Sequence, residues 1–179
     1  MASLEGRASS RANFCSVCQD GLPARLPPDI DPALLRTSAV VFETVHPLPE
    51  LRRAHVRIDL HTWSCERCSL PRGSTRATLR THLPGLHPGD VLILEELLGP
   101  RSGRPEDHDP GHRHPVRLTG VRLDHDPLDN TPITEVTWSP ADALPFDLVI
   151  ATPGHPQVAV ARGNIVLCDH GASVHELLA

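Results

Sequence analysis

The density of chain breakers limits this sequence more than any other feature: 19 prolines and 12 glycines are spread through 179 residues. Proline removes a backbone donor and clashes with the preceding helical turn, and glycine loses the most conformational freedom on ordering, so long helices are disfavoured throughout. Short strands, turns and long connections fit between the breakers. Ala54, Val56, Ile58 and Leu60 alternate with His55, Arg57 and Asp59, the period of a strand with one wet and one dry face. Further strands are expected at Ala39-Val40-Val41-Phe42, Ala77-Thr78-Leu79, Val91-Leu92-Ile93-Leu94 and Leu148-Val149-Ile150, and at residues 133–138, 158–160 and 165–168. Val116-Arg117-Leu118-Thr119-Gly120-Val121-Arg122-Leu123 alternates, loses phase at Gly120 and resumes. That break predicts a β-bulge bending the sheet toward closure.

Helix signals are few. Asp31 before Pro32-Ala33-Leu34-Leu35 reads as a cap and one short helix, Ser139-Pro140-Ala141-Asp142 as a capped turn stopped by Pro145, and residues 173–178 as a last short element. The expected fold is mainly β, a small barrel or sandwich of short antiparallel strands with long Pro/Gly-rich loops and little helix. Residues 1–37 are expected to form an irregular N-terminal arm and residues 38–179 the β domain.

Charge and composition remove several classes of function. All 17 basic residues are arginine, 22 residues are acidic, and the formal net charge is -5, which argues against a nucleic-acid scaffold. Without lysine there is no phosphate-loop lysine and no Schiff-base chemistry. The five aromatic residues, Phe14, Phe42, Phe146, Trp63 and Trp138, leave few stacking platforms and imply an aliphatic core. An arginine-only basic set rich in Ala, Pro, Gly and Leu points to a GC-rich, bacterial coding sequence. No apolar run approaches the roughly 20 residues of a membrane span. With no apolar secretory segment near Met1 and an odd number of cysteines, a reducing cytoplasm is the expected compartment.

Cys15-Ser16-Val17-Cys18 and Cys65-Glu66-Arg67-Cys68 are C-x-x-C pairs, and Cys15, Cys18, Cys65 and Cys68 could together hold one structural zinc that anchors the N-terminal arm. The 46 residues between the pairs exceed the spacing of a compact zinc ribbon, so two sets of ordinary thiols is the competing reading. Asp107, His108, Asp109, His112 and His114 crowd one segment. Without a helix-spaced ligand pair, its simplest reading is a solvated loop across residues 99–113. A metal-dependent hydrolase built on His112 and His114 is the least favoured reading. No nucleophile elbow and no glycine-rich phosphate loop occurs. Asp-His-Asp-Pro occurs twice, at residues 107–110 and 124–127, and both copies read as turns.

A series of segments resembles, in order, a known family. It runs from Leu70-Pro71-Arg72-Gly73-Ser74-Thr75-Arg76-Ala77-Thr78-Leu79 through Gly89-Asp90-Val91-Leu92-Ile93-Leu94-Glu95-Glu96 to Asp109-Pro110-Gly111-His112-Arg113-His114-Pro115-Val116-Arg117-Leu118-Thr119. It continues with Ile133-Thr134-Glu135-Val136-Thr137-Trp138, then Ser139-Pro140-Ala141-Asp142-Ala143-Leu144-Pro145-Phe146, and ends with Val160-Ala161-Arg162-Gly163-Asn164-Ile165-Val166-Leu167-Cys168-Asp169-His170-Gly171. Over residues 42–171 the chain thus resembles the baseplate assembly proteins, or wedge proteins, of phage-tail-like contractile injection systems. Members of that family are much larger, so this chain corresponds to an internal portion or fragment. The resemblance implies a structural role without catalysis and without a required cofactor. It also implies other baseplate, tube, sheath and spike proteins as partners, and a cytoplasmic location within an assembled particle. In that setting Arg113, Arg117 and Arg162 would pair with carboxylates, within the fold or across a subunit contact. A zinc-stabilised binding module is the alternative.

Overall fold

Most of the expected strands form, and six strands join one antiparallel sheet. The computed structural model describes residues 13–16, 40–45 and 50–170. It divides the chain into two compact units, Met1–Pro49 with Val166–Ala179, and Glu50–Ile165. The expected boundary at residue 37 falls inside the first unit.

In the first unit three strands form one sheet: β1 (Asn13–Ser16), β2 (Val40–Thr44) and β11 (Cys168–His170), in the order β1-β2-β11. Asn13 faces Glu43 and Ser16 faces Val40, so a strand runs through part of the expected irregular arm. On the other side of β2, Cys168 faces Thr44 and His170 faces Phe42, whose rings lie 5.4 Å apart. The last strand therefore begins where the expected one, at residues 165–168, would have ended. The helices expected at Asp31 and at residues 173–178 lie outside the described residues.

The second unit holds β3 (Ile58–Asp59), β4 (Cys68–Leu70), β5 (Arg76–Arg80), β6 (Val91–Glu96), β7 (Arg113–His125), β8 (Pro132–Trp138), β9 (Leu148–Ala151) and β10 (Ala159–Arg162). Six of these make an antiparallel sheet in the order β3-β10-β6-β7-β8-β5, and β4 pairs with β9 beside it. A bridge between Leu60 and Leu79 joins the two ends, and the His61 N–H donates to the Thr78 carbonyl at 2.8 Å next to it. The sheet is thus a nearly closed barrel, and no α-helix occurs among the described residues. Ser139 does cap a single turn at Pro140–Asp142, its hydroxyl accepting from the Ala141 N–H at 3.2 Å.

Strand β7 makes the closure possible. Its first residues pair with β6, from Arg113 opposite Glu95 to Arg117 opposite Val91, while its later residues pair with β8 from Leu118 to His125. The register slips between Leu118 and Gly120, the bulge that the phase break predicts. Gly120 lies opposite Thr137, and a Cβ there would come within 2.7 Å of the threonine hydroxyl oxygen. Alternate residues along β5, β6 and the first part of β7 fill the interior, with Leu79, Leu92, Leu94, Val116 and Leu118, and Val136 from β8, almost wholly buried. Each such side chain contributes about 1.5–3 kcal/mol relative to an exposed one.

The segment with the clearest alternation departs from its expected form. Ile58 and Leu60 are buried as expected, but Arg53–His55 is a 3-10 turn, His55 is buried and Val56 is exposed. The cause is tertiary. Asn164 accepts from the Arg52 N–H at 3.0 Å and donates to the Arg52 carbonyl at 2.9 Å, and the Gly163 N–H donates to the His55 carbonyl at 2.7 Å. These bonds hold residues 52–55 against the 163–164 turn in place of a strand neighbour.

Burial, aided by the Arg52 guanidinium and His87 and opposed by Asp90 and Glu50, pushes the His55 imidazole below its ordinary 6.5. The unfolded chain then binds the proton more readily than the folded one, so stability falls as pH drops below about 6.5. Denaturant unfolding at pH 7.5 and pH 5 is expected to show this loss, and His55→Gln is expected to shrink the difference between the two.

Candidate functional site

Cys65 lies just before β4 and Cys68 opens that strand, and both thiols are free. Cys65 is exposed. Burial first, and then its neighbour Cys65, push the Cys68 thiol above its ordinary range, which keeps it protonated and a weak nucleophile. Cys15 lies in β1, where only the backbone is described, and Cys18 lies outside the described residues. No group of three or more His, Cys, Asp or Glu side chains converges as a metal site among the described residues.

Two of the three arginines expected to pair, Arg113 and Arg162, meet a carboxylate within the chain. Glu95 on β6 accepts from the Arg162 Nε at 2.6 Å, and the Arg113 Nε stands 3.4 Å from its other oxygen. Arg162 also donates to the Val56 carbonyl at 3.0 Å, which ties β10 to the turn before β3. Arg117 contributes its backbone N–H to Asp142 at 3.2 Å, and its guanidinium makes no ion pair among the described residues. Arg113 is largely exposed, so its share of the Glu95 pair is worth well under about 1 kcal/mol.

The histidine-rich segment is an exposed loop fastened to the barrel through Glu96, through Phe146 and, at Pro100, through the Thr152 hydroxyl. Glu96, the inward-facing last residue of β6, accepts from the Asp109 N–H at 2.9 Å with one oxygen and from His112 Nδ1 at 2.9 Å with the other. The His112 ring stacks on Phe146 with centroids 4.5 Å apart. His114 Nε2 reaches the Asp142 carbonyl at 3.2 Å, and His108 bonds the Pro105 carbonyl within its own turn. These rings fold the loop onto the barrel; they do not aim at a common point.

A different histidine forms the strongest chemical feature of the second unit. His61 Nε2 lies 2.7 Å from Asp126 Oδ2, the histidine being 9% exposed and the aspartate 0%. The other Asp126 oxygen accepts from the Leu128 N–H at 2.9 Å, and its backbone pairs with Thr131 and Asn130 around the turn after β7. A carboxylate withdrawn from water must be met by donors, and here two supply it. With Nε2 engaged by that carboxylate, Nδ1 is the remaining polar position of the ring, and it makes no hydrogen bond to a described residue.

His61 lines a cavity of about 670 Å³ with Trp63, Cys68, Arg76, Glu135 and Ile150 among its walls. The Trp63 ring stands edge-on to the His61 ring at 4.9 Å. Trp63 and the next residue, Ser64, are held at φ 54° and 59°, the left-handed region, at a cost of order 1–3 kcal/mol each. Glu135 is already engaged by the Arg122 guanidinium, whose Nε donates at 3.0 Å. Arg76, on the same cavity, pairs with no carboxylate among the described residues.

Nothing in the sequence singled out His61 or Asp126. They are 65 residues apart, and Asp126 belongs to an Asp-His-Asp-Pro turn that looks identical to its exposed copy. Only the meeting of the chain after β3 with the turn after β7 pairs them. No family model, no curated protein and no solved structure matches the chain.

Glu96→Gln removes the charge that holds the 99–113 loop. It is expected to cost about 1–3 kcal/mol in denaturant unfolding and to speed tryptic cleavage after Arg101, which limited proteolysis reads directly.

Proposed function

We propose that this chain is a structural component, or a fragment of one, of the baseplate of a phage-tail-like contractile injection system, acting through protein–protein contacts. The observation that supports this reading is the ordered match between the family-like segments and the strands. Residues 70–79 span the lead into β5, 89–96 cover β6, 109–119 open β7, 133–146 cover β8 with its capped turn, and 160–171 carry β10 and β11. A resemblance that follows the strands in order concerns the architecture of the module, which suits a protein whose work is contact. The long 99–113 loop, fastened to the barrel through Glu96, offers an exposed and ordered surface for such contacts.

The test is affinity purification of the tagged chain from its native host, with co-purifying proteins identified by mass spectrometry. Tube, sheath and spike proteins are expected among them. Recovery of the chain alone from cells that make the whole particle overturns the reading.

A second reading, a zinc-stabilised binding module, draws on Cys65 and Cys68, two free thiols at the C-x-x-C spacing where the chain enters β4. On that reading the purified protein carries about one zinc per chain and loses stability on chelation. Elemental analysis together with thermal melts measures both, and Cys65→Ser lowers the zinc content.

A further inference from the structure

We propose that the cavity beside β4 and β5 is a binding site for a small aromatic carboxylate that carries a ring hydroxyl. Its volume, about 670 Å³, lies within the range of small-molecule sites. Three features of its lining each match one part of such a ligand.

His61 is the first. Only its Nε2 has a described partner, the fully buried Asp126, and Nδ1, which is not among the buried unpartnered atoms, is accessible. Nδ1 is left as the ring position a ligand can meet, and a phenolic hydroxyl, which both donates and accepts, suits it. Trp63 is the second. Of the two tryptophans, Trp138 is buried and its indole N–H donates to the Ser74 carbonyl at 3.1 Å, whereas Trp63 is 38% exposed. Two successive left-handed residues hold Trp63 on the cavity wall against His61, where its ring offers an aromatic surface to a planar ligand. Arg76 is the third. The nearby acid, Glu135, is taken by Arg122, so the Arg76 guanidinium is left for an incoming carboxylate, which it can bind through two parallel hydrogen bonds. Leu70, Pro71, Ala77, Val136 and Ile150 supply apolar walls for the ring between these polar points.

The assignment does not depend on the baseplate reading, since a structural module can hold a small ligand. It specifies binding alone, and no bond is made or broken.

The experiment is a titration of the full-length protein with 4-hydroxybenzoate, following the two indole N–H resonances by NMR, with Trp63→Phe identifying the Trp63 signal. A saturable shift of the Trp63 resonance is expected with a Kd of about 1 mM or tighter, with the Trp138 resonance moving little. Arg76 is exposed, so Arg76→Gln leaves the fold intact, and it is expected to weaken binding about tenfold. Neutral 4-hydroxybenzamide is expected to bind as weakly to the native protein as 4-hydroxybenzoate does to that variant. Benzoate, which lacks the hydroxyl, is expected to bind the native protein more weakly than 4-hydroxybenzoate, and His61→Gln is expected to bring the two together. The assignment fails if neither 4-hydroxybenzoate nor the longer 4-hydroxyphenylacetate shifts Trp63 saturably. It fails equally if the amide binds as well as the acid, or if Arg76→Gln changes nothing. Should His61→Gln not fold, the comparison of benzoate with 4-hydroxybenzoate on the native protein still decides the hydroxyl contact.

Discussion

A sheet of short strands can bury a core on its own only by curling until its edges meet, and in this protein the curl depends on β7. One strand serves two neighbours in succession, β6 along its first part and β8 along its second, and the register slip at Gly120 lets it turn from one to the other. Glycine suits that position because the opposing Thr137 hydroxyl approaches to where a side chain would begin. The bend allows Leu60 to meet Leu79, so the two end strands leave few unpaired backbone groups. The aliphatic interior of Leu79, Leu92, Leu94, Leu118 and their neighbours follows from that closure.

Two buried carboxylates occupy the places where the barrel meets its loops, and each is paired with a histidine. Glu96 gathers the 99–113 loop through the Asp109 N–H and His112. Asp126 gathers the turn after β7 through the Leu128 N–H and reaches His61 at the barrel seam. A buried carboxylate costs several kcal/mol to desolvate, and backbone donors together with a ring N–H offset that cost only in one arrangement. Such groups specify where a loop sits more than they add to overall stability. The difference between them lies in the histidine. His112 stacks on Phe146 and lies partly in solvent, whereas His61 is withdrawn beside a cavity with one nitrogen unclaimed.

The candidate functional residues were legible in uneven degree. Of the three arginines that the family resemblance offered as carboxylate partners, Arg113 and Arg162 meet Glu95 from neighbouring strands, while Arg117 reaches Asp142 only through its backbone N–H. Cross-strand pairing and not the local sequence decides what each guanidinium meets. The loop character of residues 99–113 was visible in its Gly, Pro and charge. The cysteine pairs announced themselves by spacing, although spacing alone does not place thiols around one point. His61, Asp126, Trp63 and Arg76 gave no local signal, since they come from three separate stretches of chain, His61 with Trp63 in one, and share no periodicity.

By itself the sequence determined the local vocabulary of this protein: short strands from period-2 alternation, a bulge at Gly120, a single capped turn at Ser139 and little helix. These rest on backbone sterics and on the burial of every second side chain, both of which act over a few residues. Tertiary structure decided the rest. It turned the alternating stretch before Ile58 into a 3-10 turn, because Asn164 and Gly163 satisfy its backbone groups from more than 100 residues away. It also separated two copies of Asp-His-Asp-Pro, leaving Asp109 in solvent and enclosing Asp126 completely. The same four residues met different fates because desolvation depends on what the rest of the chain brings to them.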